Sequence, residues 1–151
     1  MRTGEARFAR WSEFDLAGRV WTVPGERMKG DKEHRVPLWD RALAILAELP
    51  RDGVSDAVFP GRSNGGFINQ DAMADVLAKL RPRVTVHGFR STFRDWAAET
   101  TGYPNYVVEM ALAHAISNGV EAAYRRGDLF EKRRQLMDEW VVFCASRCSE
   151  R

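Results

Sequence analysis

T-V-H-G-F-R-S-T-F-R-D-W, residues 85–96, reads as the opening of a helix and fixes how the rest of the chain is read. Thr85 is a capping residue type. Phe89, Phe93, Trp96 and Ala97 recur at helical spacing, and Gly102 stops the run. The pattern predicts a helix over 87–100. His87 and Arg90 stand three apart, one helical turn, so their side chains share a face. A His–Arg pair offers several donors to phosphate oxygens. Taken alone, the same two residues also describe a capping histidine and a surface arginine. Further on come A-L-A-H, ending at His114, and A-A-Y-R-R-G-D, with Tyr124 ten residues after His114. A phenol with its ordinary pKa of about 10 needs nearby cations to act as a nucleophile. Without them, a packed tyrosine and a satisfied core histidine describe these residues equally well.

Working outward, R-T-G-E-A-R-F-A-R (residues 2–10) reads as a helix or helix end, with Arg2 and Glu5 as neighbours. Residues 19–24 and 34–38 read as two strands of a hairpin, and Lys29 and Lys32 lie in the polar connection between them. Asp40 is expected to cap a helix through Leu49, and Asn69 one from Gln70 to about Leu80 with Met73, Val76, Leu77 and Leu80 on one face. Pro104 opens a helix through about Leu112, residues 117–119 read as a turn, and residues 120–126 as a short helix. The last helix is expected from about Leu129 to Ala145, with Phe130, Leu136, Met137, Trp140, Val141 and Cys144 facing inward. The sum is a mainly α domain over 1–151 with a small antiparallel β-hairpin near its start.

The bulk properties narrow the function. The chain has 151 residues, 44% hydrophobic and 29% charged, with a net charge of +2, ordinary for one globular domain. No apolar run approaches the roughly 20 residues of a membrane span, and none resembles a secretion signal, so no membrane partner and a cytoplasmic location are expected. Only four of the 23 basic residues are lysine, and arginine's planar fork suits bidentate phosphate contact, although a codon bias gives the same excess. Cys144 and Cys148 lack ligand-type neighbours for zinc, and they read as buried or incidental thiols. There is no G-x-x-x-x-G-K-[ST] loop, no H-E-x-x-H and no G-x-S-x-G, and the acidic residues are scattered. Neither a metal nor a cofactor is expected. What clusters is His, Arg and Tyr, which suits an anionic substrate.

Order and setting give these residues a collective identity. R-T-G-E with Arg2 and Glu5, E-R-M-K-G-D-K-E-H-R-V-P-L with Lys29, H-G-F-R with His87 and Arg90, L-A-H with His114, and A-Y-R-R-G-D with Tyr124 follow one another along nearly the whole chain. In this the chain resembles the catalytic domain of tyrosine recombinases of the phage and prophage integrase type. Ala113 stands where that family usually has glycine. The chain also begins at the first arginine motif, so the resemblance implies a partial catalytic domain without the DNA-binding domains that precede it in the family.

The resemblance implies the DNA breaking–rejoining fold and site-specific recombination of double-stranded DNA at attachment sites. Tyr124 would attack a phosphodiester, giving a 3′-phosphotyrosyl link and a free 5′-hydroxyl. Arg2 and Arg90 would clamp the non-bridging oxygens, with His114 adding a hydrogen bond. Lys29 would protonate the leaving 5′ oxygen, His87 would handle the tyrosine proton, and Glu5 would orient its neighbours. Such enzymes work as homo-oligomers (tetramers) on DNA within the bacterial nucleoid. The last helix is expected either to dock on a neighbouring protomer or to fold back on its own core. An inactive DNA-binding fragment or prophage remnant, and a type IB topoisomerase-like enzyme, are the alternatives.

Overall fold

The computed structural model describes residues 1–51, 53, 55–62, 66–114 and 127–149. Tyr124, the expected turn at 117–119 and the expected helix at 120–126 lie outside them. Among the described residues there are six α-helices and a three-stranded antiparallel sheet. This is the mainly α class with a small N-terminal sheet that the sequence implies. No helix of the described residues is long and apolar enough to cross a membrane.

Helix α1 (Thr3–Arg7) opens the chain. Strands β1 (Phe14–Asp15), β2 (Val20–Val23) and β3 (His34–Pro37) follow, paired in that order. The hairpin β2–β3 is the expected one, with Trp21 opposite Val36 and Val23 opposite His34. Strand β1 is an addition. It is two residues long, and Phe14 stacks on Trp21 across the ladder at 5.1 Å between ring centroids. The turn into β2 is closed by the Asp15 carboxylate, which accepts the Gly18 N–H at 2.8 Å.

Helix α2 (Asp40–Glu48) puts Leu46 inward. Trp39 is its N-cap and Asp40 its first helical residue, so Asp40 is not the cap. Helix α3 (Ala72–Leu80) starts two residues later than expected, with Asp71 as N-cap. Asn69 instead folds the entry, its Oδ1 accepting the Asp71 N–H at 3.1 Å. The apolar face of α3 is not core: Val76 and Leu80 are exposed.

Helix α4 (Gly88–Thr100) begins one residue after the expected start, with His87 as its N-cap, so Thr85 is not the cap. Thr85 Oγ1 accepts the Gly88 N–H at 3.0 Å, satisfying one orphan donor of the first turn. Phe93, Trp96 and Ala97 are buried, but Phe89, on the same sequence stripe, is exposed. Helix α5 (Asn105–Ala111) follows Pro104, and α6 (Phe130–Ser149) closes the described chain. In α6, Phe130 and Leu136 are buried while Met137, Trp140 and Val141 are half-buried. Cys144 is exposed, which corrects its inward placement.

Two separate hydrophobic clusters result. One, with Trp21, Val23, Met28, Leu38 and Leu46, packs the sheet against α1 and α2. The other, with Phe93, Trp96, Val107, Val108 and Leu136, packs α4, α5 and α6 together. Trp140 reaches into the second, 5.0 Å from Trp96 and edge-on to Phe93 at 5.4 Å between centroids. Helix α6 therefore packs on its own chain, on α5 and on β3.

The clusters are joined at β3 by charge. Arg133, 1% exposed, donates to the Asp128 carbonyl (2.7 Å), the Asp128 carboxylate (2.9 Å) and the Arg35 carbonyl (2.6 Å). Arg35 grips the same carboxylate with two donors at 2.9 and 2.8 Å, and lies 4.4 Å over the Phe130 ring.

Candidate active site

The end of α5 is the point on which the sequence's polar residues converge. The Ala113 N–H reaches the Met110 carbonyl (3.0 Å), and the His114 N–H reaches back to the Glu109 carbonyl (2.9 Å). These two bonds make a Schellman closure with Ala113 at its left-handed position, φ 53°. A Cβ is disfavoured there and glycine is at ease, which gives a physical meaning to the alanine-for-glycine departure. The closure turns His114 back across the helix end.

Two guanidiniums meet that end from different elements. Arg90, buried on α4, donates through Nη2 to the Leu112 carbonyl at 2.6 Å. Arg2, at the N-cap of α1, reaches the next carbonyl, that of Ala113, at 3.4 Å. Cations are favoured at a helix C-terminus, where unpaired carbonyls collect. Burial, and then the Arg2 charge, lower the pKa of Arg90, so the two guanidiniums oppose each other electrostatically. Arg90 Nη1 is buried with no hydrogen-bond partner among the described residues. A buried donor beside a second cation is a site that an anion completes.

His114 belongs to the same group. Its Nε2 lies 2.8 Å from Arg90 Nη2, and its Nδ1 2.6 Å from Glu109 Oε2. Arginine only donates, so Nε2 accepts and Nδ1–H is given to Glu109. The other oxygen of Glu109 is 2.8 Å from Arg94 Nε. Glu109 thus fixes both the tautomer and the plane of His114, and the sequence reading did not single it out. It sits five residues before His114, one turn and a half back, and nothing but the Schellman closure brings the two together.

Glu5 is 5% exposed and holds Arg2 twice: Oε2 accepts the Arg2 N–H at 2.6 Å and Oε1 accepts Arg2 Nη1 at 2.8 Å. Burial pushes the Glu5 pKa up, but the Arg2 N–H and guanidinium outweigh it and hold the carboxyl below its ordinary range. Lys29 is exposed, on the turn between β2 and β3, and lines a cavity of about 540 Å³ together with Arg2, Glu5 and Arg27. His87 is exposed at the N-cap of α4, its ring without a hydrogen-bond partner among the described residues. The structure therefore brings Arg2, Glu5, Arg90 and His114 into one contact group and Lys29 to the cavity beside Arg2. His87 stands one turn from Arg90 and outside the contacts, and Tyr124 lies outside the described residues.

Among the described residues, no cluster of three or more metal-ligand side chains occurs. The arrangement offers an anion fixed guanidinium donors beside an imidazole.

Comparison with known proteins gives these geometries a context. The model of the phage integrase family matches residues 1–129. The chain is 40% identical over 144 residues to the prophage integrase IntA of Escherichia coli (strain K12), covering 93% of this chain and 35% of that protein. It is 30% identical over 162 residues to the integrase of Enterobacteria phage P4, covering 95% of this chain and 37% of that one. It is 34% identical over 124 residues to the tyrosine recombinase XerC of Xanthomonas axonopodis pv. citri (strain 306), covering 76% and 39%. The chain thus spans little more than a third of the length of these curated relatives. Among solved structures, the integrase from mycobacterium phage Brujita superposes with a TM-score of 0.66 at 24% identity, over 90% of this chain and 45% of that one. That likeness establishes the fold.

Proposed function

Because the chain belongs to the phage integrase family, we propose that it supplies the catalytic residues for site-specific cleavage and rejoining of double-stranded DNA through a 3′-phosphotyrosyl intermediate. The observation that carries this reading is the convergence of Arg2 and Arg90 on consecutive carbonyls beside His114, with a buried Arg90 donor unspent. In-line attack on a phosphodiester builds negative charge on the non-bridging oxygens. Two preorganised guanidiniums stabilise that charge, and removing one such donor commonly costs about 3–4 kcal/mol, roughly a hundred- to thousandfold in rate.

The steps follow. Tyr124 Oη bonds to phosphorus and the P–O5′ bond breaks. The 5′ oxygen takes the bond's electron pair and a proton from Lys29, while the tyrosine proton passes towards His87, so protons balance. A 5′-hydroxyl of a partner strand reverses the step and restores the phosphodiester. Glu5 keeps Arg2 in register, and Glu109 does the same for His114. In the described arrangement the His114 Nε2 lone pair is taken by Arg90. His114 therefore acts on phosphate by orienting Arg90.

The partners that accompany this reading are DNA attachment sites and further copies of the chain, a tetramer on DNA, in the bacterial cytoplasm. The test is a nicked suicide duplex, drawn from a pool of sequences, from which a covalent adduct survives denaturation. The wild-type chain is expected to form the adduct and Tyr124→Phe to form none. An adduct persisting in Tyr124→Phe overturns the nucleophile, and no adduct from wild type turns the reading to an inactive remnant.

A further inference from the structure

Lys29 has a demanding task in this reading and no contact of its own to secure it. Its side chain is exposed and makes no hydrogen bond or ion pair among the described residues. Its placement depends on the turn Gly25–Asp31 that carries it. This turn is folded tightly: a Cβ on Gly25 would come within 2.8 Å of the Asp31 carbonyl oxygen. Met28, 6% exposed, anchors one side of it in the sheet's hydrophobic cluster.

The other anchor is Arg27, two residues before Lys29. Its Nη2 is 2.8 Å from Glu13 Oε2, and its Nη1 donates to the carbonyl of Phe8. Phe8 is the C-cap of α1, the helix that carries Arg2 and Glu5. The same Glu13 oxygen accepts the Trp21 indole N–H at 2.9 Å and the Arg10 N–H at 3.2 Å. One carboxylate oxygen and one guanidinium thus tie together the lysine turn, strand β2 and the end of α1. Both side chains are shielded, Arg27 at 17% and Glu13 at 7% exposed, so solvent screens the pair little. Arg27 Nε and Glu13 Oε1 are buried without hydrogen-bond partners among the described residues. A pair chosen for stability alone would close both bonds in a fork; this one is splayed so that the guanidinium spans two elements.

We propose that Arg27 and Glu13 are positioning residues that hold Lys29 at a fixed height over the Arg2 side of the site, so that its ammonium meets the departing 5′ oxygen. The proposal rests on the function proposed above. Neither residue touches the reacting atoms. Their effect is on delivery of the proton, and a displacement of about 1 Å in such a group costs on the order of a hundredfold in rate.

A change of leaving group separates this role from a merely structural one. A duplex with a sulfur in place of the bridging 5′ oxygen releases a thiolate, which departs without a proton. Single-turnover adduct formation is measured on both duplexes for the wild-type chain, Lys29→Ala, Arg27→Lys and Glu13→Gln, with thermal melting of each. Arg27→Lys keeps the charge opposite Glu13 but cannot also reach Phe8, so its fold is expected to hold. Lys29→Ala is expected to lose about 10²–10⁴-fold on the oxygen duplex, the usual worth of a general acid, and to recover on the sulfur duplex. Arg27→Lys and Glu13→Gln are expected to lose on the order of 10–100-fold on oxygen and to come within about threefold of wild type on sulfur. Equal losses on both duplexes for the two variants, with Lys29→Ala still recovering, overturn the positioning role alone. No recovery for Lys29→Ala, or no wild-type adduct on either duplex, overturns the assignment of Lys29 or the function beneath it.

Discussion

The two halves of the molecule are built by one kind of physics and joined by another. The sheet half and the helical half each have a dry apolar cluster, one around Trp21 and Val23, the other around Trp96 and Leu136. What joins them is arginine: Arg2 to the Ala113 carbonyl, Arg133 to the Arg35 carbonyl, and Arg35 to the Asp128 carboxylate. The proposed site straddles the same junction, with Arg2 and Lys29 on one side and Arg90 and His114 on the other. Apolar packing is non-directional and tolerates small shifts, whereas a charged hydrogen bond fixes direction and length. A site assembled across a boundary needs the second kind of bond, and this boundary has it.

The contrast can be broken most severely at Arg133. Arg133→Met keeps volume and apolar stem but strips three hydrogen bonds from the junction and leaves the Asp128 carboxylate to Arg35 and the Phe130 N–H. The expected loss is about 2–4 kcal/mol in a denaturant titration, hydrogen bonds from a charged donor being worth about 1.5–3 kcal/mol each. A loss under about 1 kcal/mol would show that the two clusters hold together without the charged clasp.

Acid tests the junction next. Burial, and then the nearby Arg133 charge, push the pKa of His34 down to about 4 from its ordinary 6.5. The unfolded chain takes up that proton first, so stability is unaffected by His34 above about pH 6.5 and falls as pH drops from there to about 4. The fall is expected to be on the order of 2 kcal/mol. The paired carboxylates Glu5 and Asp128, held below their ordinary values of 4.5 and 3.8, add losses as pH falls through those values. His34→Gln is expected to flatten the stability curve between pH 6.5 and 4; an unchanged slope removes His34 from the account.

The smallest effect sharpens the comparison on the helical side. Ala113 sits at φ 53°. Ala113→Gly relieves the left-handed strain but frees the unfolded chain, for a net gain of about 0.5 kcal/mol. A melting temperature that falls instead shows that the Ala113 methyl, packed against the sheet cluster, outweighs the strain.

These features were not equally legible in the sequence. The hairpin was, because V-W-T-V and H-R-V-P-L are β-type runs flanking a polar turn. Phe93 and Trp96 were, because helical periodicity marks a stripe. Periodicity does not say what covers a stripe, and Phe89, Val76 and Leu80 are exposed for that reason. Strand β1 has no local signature, since two residues held by Trp21 are a tertiary product. Arg133 and Glu109 were invisible for a further reason: each is one charge among many, and its partners are set by the fold, with Arg133 meeting the Arg35 carbonyl 98 residues away. The linear order of Arg2, Lys29, His87, Arg90, His114 and Tyr124 suggested the proposed site, while the contacts that join Arg2, Glu5, Arg90 and His114 came only with the structure.

The clasp on Asp128 also sets a leash. Tyr124 stands four residues upstream of a residue bolted to β3 and α6. Four residues stretch to ~14 Å at most. In the proposed reaction, the chain's covalent reach from Asp128 therefore bounds where its tyrosine can meet a phosphate.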